Sequence, residues 1–138
     1  MKIFLDANVL VSVLNKEYPL FSYSATILSL DPQRFRLYTS PVCLAIAFYF
    51  AGKKCGAITA KNKIGLLISH IHIAEANKDG VLLAAQNKAI EDFEVGLEYY
   101  AALDAGCSCI VTEDINDFYF SEIEVLRAEQ FIEEYLSV

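Results

Sequence analysis

The stretch FLDANVLVSVL, Phe4 to Leu14, decides how this chain folds. An apolar run reaches Asp6, a small residue and Asn8. It then resumes at helical spacing, Val9 with Val13 and Leu10 with Leu14. A strand that ends where a helix begins is the start of a β-α unit, and Asp6 and Asn8 stand at its carboxyl edge. There they either cap the helix or hold something at the edge of a sheet.

Working outward, Lys2 to Leu5 reads as a short buried strand and Ala7 to Lys16 as the helix after it. Pro19 suits the start of a second helix through Leu30, which Asp31-Pro32 stops. Phe35 to Thr39 is a second strand. Ser40-Pro41 is a cap followed by proline at the first helical position, and that helix runs to about Ala51 before Gly52. A helix over Thr59 to Ser69 follows, then a third strand over Ile71 to Ala74. Asn77 and Asp79 open another helix to about Asn87. Glu91 to Ala105 is a helix ended by Gly106. Cys109 to Val111 is a fourth strand, followed by the polar loop Thr112-Glu113-Asp114-Ile115-Asn116-Asp117. Ile123 to Leu126 makes a fifth strand and Ala128 to Leu136 a last helix. No repeat, linker or low-complexity segment divides residues 1–138, which read as one domain. Short apolar strands alternating with helices imply an α/β fold, a parallel sheet covered on both faces.

The 138 residues suffice for one core, and 55% hydrophobic residues can fill it. That excludes a disordered chain. A net charge of −7 argues against a binder working through a broad basic surface. It leaves room for an enzyme that meets RNA through metal ions and a local patch. Met1-Lys2 leads straight into the first strand, with no small-residue cleavage site. The longest apolar run, Val42 to Ala51, is too short to span a bilayer and reads as a buried or interface helix. A cytoplasmic location without membrane contact is expected. The four cysteines, Cys43, Cys55, Cys107 and Cys109, are expected to be reduced. Cys107-Ser108-Cys109 with His70-Ile71-His72 matches no standard zinc spacing, so the cysteines read as small core residues.

In a parallel sheet, ligands sit beyond the carboxyl ends of the strands. The first strand ends at Asp6 and Asn8, the fourth at Thr112, Asp114 and Asp117. If these strands are neighbours, the groups converge in one crevice. Magnesium and manganese take carboxylate and water oxygens. Such an ion activates water and stabilises charge on a phosphodiester. Carboxylates alone repel a phosphate, so a metal is the natural intermediary. The plainer reading makes Asp6 a helix cap and Asp114 and Asp117 turn residues.

FLDANVLVSVL resembles the opening motif of PIN-domain proteins: a strand, an aspartate, a small residue and Asn or Thr. DFEVGLEYYAALDAGCSCIVTEDINDF, Asp92 to Phe118, resembles their carboxy-terminal half, where a helix leads to a strand ending in Thr-x-Asn/Asp-x-x-Asp-Phe. IEVLRAEQFIEEYL is similar to their closing strand and helix. The resemblance implies a three-layer, PIN-like fold with a central parallel sheet of about five strands ordered 3-2-1-4-5, which sets strands one and four side by side. It also implies a magnesium- or manganese-dependent endoribonuclease, often the VapC-type toxin of a toxin–antitoxin pair, with RNA and an antitoxin protein as partners. By position, Asp6, Asp114 and Asp117 become the catalytic acids, with Asp6 and Asp114 on the metal. Asn8, Ser12 and Thr112 become supporting residues.

Two positions depart from that pattern. The family usually carries a glutamate in the helix after strand two, and SPVCLAIAFYF has Ile46 there. Its helical neighbours Val42, Cys43, Tyr49 and Phe50 hold no acid either. The family also carries an aspartate in the helix before strand four, where this chain has Val95. At about 100° per residue, Glu91, Asp92 and Glu98 lie within about 60° of Val95. Asp92 or Glu98 is the candidate substitute acid. A reduced acidic set implies a weakly held metal, a slow site or a dead one.

Other features admit two readings each. The basic cluster of Lys53, Lys54, Lys61 and Lys63 would contact an RNA backbone or stand in solvent. Tyr99-Tyr100 and Phe48-Tyr49-Phe50 would stack bases or pack, and packing is expected, with a helix pair as the surface of a homodimer. His70 and His72 are expected to be structural. The function classes are then a metal-dependent ribonuclease, a catalytically impaired PIN-fold protein kept for binding nucleic acid or protein, and a phosphoacceptor domain. The last needs an aspartate ending strand three and a lysine near strand five. Ala74-Glu75 and the tail supply neither.

Overall fold

The computed structural model describes residues 1–136; residues 137 and 138 lie outside the description. Five short strands form one parallel sheet: β1 (Lys2–Leu5), β2 (Arg36–Thr39), β3 (His72–Ile73), β4 (Cys109–Val111) and β5 (Glu124–Leu126). Their order is β3-β2-β1-β4-β5, as the resemblance implied. In β1, Ile3, Phe4 and Leu5 are all fully buried. Successive strand residues point to opposite faces, so three in a row require helices on both.

Those helices are α1 (Ala7–Leu14), α2 (Leu20–Leu28), α3 (Pro41–Cys55), α4 (Ala57–Leu67), α5 (Lys78–Gln86), α6 (Phe93–Asp104) and α7 (Ala128–Tyr135). α1 packs against α2, α3 and α4; α6 packs against α3 and α5; α7 packs against α2. None is long and apolar enough to cross a membrane among the described residues. β1 lies between β2 and β4, with Phe4 level with Tyr38 on one side and Ile110 on the other. This register aligns the carboxyl ends. The Asp6 N–H donates to the Val111 carbonyl at 3.0 Å, and the buried Thr39 hydroxyl donates to the Leu5 carbonyl at 2.9 Å.

Helix ends differ from expectation for local reasons. α3 continues past Ala51 to Cys55. A mid-helix glycine such as Gly52 weakens a helix by about 1 kcal/mol without breaking it. The stop comes at Gly56, with φ +84° and ψ 160°, a conformation essentially confined to glycine. α6 begins at Phe93 rather than Glu91, because the Asp92 side chain accepts from the N–H groups of Glu94 (2.9 Å) and Val95 (3.4 Å). The polar loop after β4 contains a 3-10 turn, Ile115–Phe118, anchored by buried Phe118. The apolar α3 carries Tyr49 and Phe50 outward, whereas Tyr99 is core and its hydroxyl accepts from the Glu122 N–H at 3.1 Å. His70 and His72 are exposed, and His72 stacks on Tyr38.

The basic cluster divides. Lys54 Nζ donates to the Asn15 carbonyl at 2.6 Å and Lys63 Nζ to the Leu14 carbonyl at 3.0 Å. Both fasten the electronegative end of α1, whose last carbonyls have no partner within the helix. Lys53 lies over the Tyr49 ring. The cluster thus lies on α3 and α4 rather than in a loop; Lys54 and Lys63 are held by α1, while Lys53 and Lys61 stand exposed. Lys54→Met with Lys63→Met is expected to cost about 1 kcal/mol per lysine in urea unfolding. An unchanged midpoint would make the two contacts incidental.

Candidate active site

Asp6 is the first residue past β1 and the N-cap of α1. It is only 8% exposed. Oδ1 accepts from the Ala7 N–H at 2.6 Å and Oδ2 from the Thr112 hydroxyl at 2.7 Å. The choice between cap and site is therefore a false one: the carboxylate does the capping while lining a cleft.

Asn8, the second residue of α1, reaches across to the end of β4. Its Nδ2 donates to Thr112 Oγ1 (3.2 Å) and to Asp114 Oδ2 (3.1 Å), and its Oδ1 accepts from the Glu113 N–H (3.2 Å). Thr112 Oγ1 also accepts from the Asp114 N–H at 3.0 Å. The loop after β4 is thereby pinned to the start of α1. Glu113 in turn caps α7, its Oε2 accepting from the Ala128 N–H at 3.1 Å. Ser12 lies elsewhere. It is buried, donates to the Val9 carbonyl and sits 2.8 Å from Ser24 Oγ. It ties α1 to α2 and does not line the cleft.

The cleft has a volume of about 470 Å³. Its acidic lining is Asp6, Glu17, Asp92, Glu94, Glu98, Glu113, Asp114 and Asp117, and no lysine or arginine joins it. Ile46 and Val95 also line it, so the two apolar departures from the PIN pattern do face this space. Of the two substitute acids, Asp92 stays at the rim, capping α6. Glu98 is 3% exposed and forms a tight group with Asp6 and Cys43. One ligand atom from each lies within 4.8 Å of the others. Cys43 Sγ donates to Glu98 Oε1 at 2.7 Å and is 3.9 Å from Asp6 Oδ1.

Crowding of acids shifts their proton affinities. Burial first, then the hydrogen bond and charge of Asp6, push the Glu98 carboxyl up to about 10. At neutral pH Glu98 keeps its proton. Burial, then the charges of Glu98 and Asp6, hold the Cys43 thiol well above its ordinary value. Asp117 is raised by burial and then by Asp114, Asp92 and Asp6, so acids from both strand ends and the α6 cap feel one another.

Can these residues hold a hard dication? Asp114 and Asp117 present solvent-exposed carboxylates beside Asp6, in a cleft without a compensating cation. That chemistry fits magnesium or manganese, which keep several waters and need only one or two carboxylates. Asp114 and Asp117 nevertheless stand outside the tight group around Asp6.

Sequence reasoning passed over Cys43 because it sought acids on α3. The signal was its place, three residues after the Ser40 cap, in the first turn beyond a strand adjacent to β1.

The family model for the PIN domain matches residues 2–116. The chain belongs to the PIN domain family. Its similarity to Ribonuclease VapC1 of Aquifex aeolicus (strain VF5) is 29% identity over 136 residues, covering 96% of this chain and 94% of that protein. Among solved structures, VapBC2 from Rickettsia felis, bound to a DNA fragment from its promoter, aligns with a TM-score of 0.73 at 17% identity, over 91% of this chain and 97% of that one. Mycobacterium tuberculosis VapC20, described as a sarcin-ricin loop cleaving toxin, aligns with a TM-score of 0.67 at 16% identity, over 88% and 98%. These two likenesses establish a shared fold. In this PIN domain the motif at the end of β1 and the motif at the end of β4 meet at one cleft.

Proposed function

We propose that this PIN domain is a metal-dependent endoribonuclease and the toxin of a toxin–antitoxin pair, with a small antitoxin protein as partner. The observation that carries the reading is the cleft at the carboxyl ends of β1 and β4, where Asp6, Asp114 and Asp117 meet with no basic side chain in the lining. Such a cleft repels RNA phosphates until cations enter it. The similarity to Ribonuclease VapC1 supports the substrate class, and the likeness to a VapBC structure supports the antitoxin.

The residues divide the work as follows. Asp6, Asp114 and Asp117 would hold magnesium or manganese. A bound dication supplies an activated water and stabilises charge on the phosphodiester. Thr112 fixes the rotamer of Asp6 by donating to Oδ2, and Asn8 fixes Asp114 by donating to its Oδ2. Glu98 keeps its proton and so lowers the charge that Asp6 must share.

Ile46 and Val95 on the cleft wall favour one second reading, a catalytically impaired PIN fold kept for binding nucleic acid or protein. Incubating the full chain with single-stranded RNA separates the two. With manganese added, cleavage that stops on chelation is expected for the nuclease. Intact RNA under both conditions points to the binding protein, and the search then turns to its partner.

A further inference from the structure

Asp6, Cys43 and Glu98 are drawn from three separate segments: the end of β1, the first turn of α3 and the inner face of α6. They are 8%, 0% and 3% exposed. Among the described residues no other three acids, cysteines or histidines gather so closely. Glu98 has no hydrogen-bond partner outside this group among the described residues. Its carboxyl is held within the group, by the Cys43 thiol and by Asp6, so nothing outside the three residues fixes it. Two carboxyl groups and a thiol, with no lysine or arginine among the cleft-lining residues, form a buried set of oxygen and sulfur donors.

Magnesium does not choose a sulfur ligand, whereas thiolates select zinc and related ions. We propose that Asp6, Cys43 and Glu98 form a three-ligand site for a thiophilic dication of the zinc class. It rests on the reading of this cleft as a metal site, and it assigns part of the binding to sulfur. A tetrahedral ion with bonds of about 2.0–2.3 Å holds its ligand atoms roughly 3.3–3.8 Å apart. Cys43 Sγ is already 3.9 Å from Asp6 Oδ1 and needs about 1 Å of retreat from Glu98 Oε1, now at 2.7 Å. Asp6 and Glu98 line the cleft and Cys43 lies behind them, so a fourth ligand enters from the cleft side. Binding releases the thiol proton and the Glu98 proton, leaving thiolate and carboxylate on the ion. Cys43 is preset for this by its backbone, whose N–H donates to Ser40 Oγ at 3.2 Å.

The test uses the full chain, stripped with chelator, kept reduced and titrated with cobalt as a spectroscopic stand-in for zinc. The expected result is a near-ultraviolet cobalt–thiolate charge-transfer band at one equivalent, displaced by zinc and untouched by excess magnesium. Cys43→Ser should remove the band and weaken zinc binding by about 100-fold or more, while Cys55→Ser leaves both unchanged. Glu98→Gln provides a second variant with the thiol intact, and it should weaken zinc at least about 10-fold; thermal melts confirm that each variant is folded. A band that survives Cys43→Ser, or no band at all, overturns the site. Manganese-dependent RNA cleavage without any band overturns the sulfur ligand and leaves the nuclease standing. A Cys43-dependent band without cleavage supports the site and removes the nuclease.

Discussion

Asp6→Asn is expected to lower manganese-dependent cleavage of single-stranded RNA by more than about 100-fold while leaving the fold intact. Residues one step removed from a metal already change affinity or activity by about 10–100-fold, and a direct carboxylate ligand matters more. The amide is nearly isosteric. It still accepts from the Ala7 N–H, so the α1 cap survives. Thr112 loses an anionic acceptor at 2.7 Å, which costs about 1 kcal/mol. Relief of the Asp6–Glu98 crowding works the other way. Stability should therefore stay within about 1 kcal/mol of the parent in urea unfolding. The separation of the two readouts is the point. A variant that unfolds would reduce Asp6 to a cap, and one that still cleaves would move the metal to other acids.

Glu98→Gln should stabilise the metal-free protein above neutral pH and flatten its pH dependence. The folded protein holds the Glu98 proton up to about 10, whereas the unfolded chain releases it near an ordinary glutamate value of about 4.3. Between those values the unfolded state binds fewer protons, so stability falls as pH rises, by up to about 1.4 kcal/mol per unit. The contribution is whole below the unfolded value and is lost progressively up to the folded one. Glutamine cannot ionise, and its amide still donates toward Asp6 and accepts from Cys43. At pH 8 in chelator the gain should be on the order of 3 kcal/mol, shrinking toward zero near pH 5. Urea midpoints from pH 5 to 9 decide it: parallel curves for the two proteins would mean that Glu98 ionises freely in the folded state.

The sheet was readable because each strand is a short apolar run bounded by recognisable helix starts. The strand order followed from the family motifs at Asp6 and at Thr112 to Asp117. Helix limits were harder, since periodicity gives Gly52 no more than a weak vote and only the backbone distinguishes it from Gly56. In the site, Asp6, Asn8, Thr112, Asp114 and Asp117 could be grouped because each ends a strand beside the same crevice. Angular spacing left Glu91, Asp92 and Glu98, with Asp92 or Glu98 as the candidate, and could go no further. What separates Asp92 from Glu98 is a competing demand, since Asp92 is occupied by two backbone N–H groups of α6 and Glu98 is buried further along the helix. Ser12 shares the α1 helix with Asn8, and nothing in a one-dimensional pattern reveals that it turns toward Ser24. Cys43 was invisible to a search restricted to oxygen donors.

The graded burial of the thiols gives the molecule an internal clock. Cys55 is half-buried, while Cys43, Cys107 and Cys109 are enclosed. A small alkylating reagent should mark Cys55 within its ordinary reaction time and reach the others only when their surroundings part. The lag at Cys43 then times the breathing of α3 away from β1 and α6, residue by residue in a mass spectrum, with no probe added to the chain.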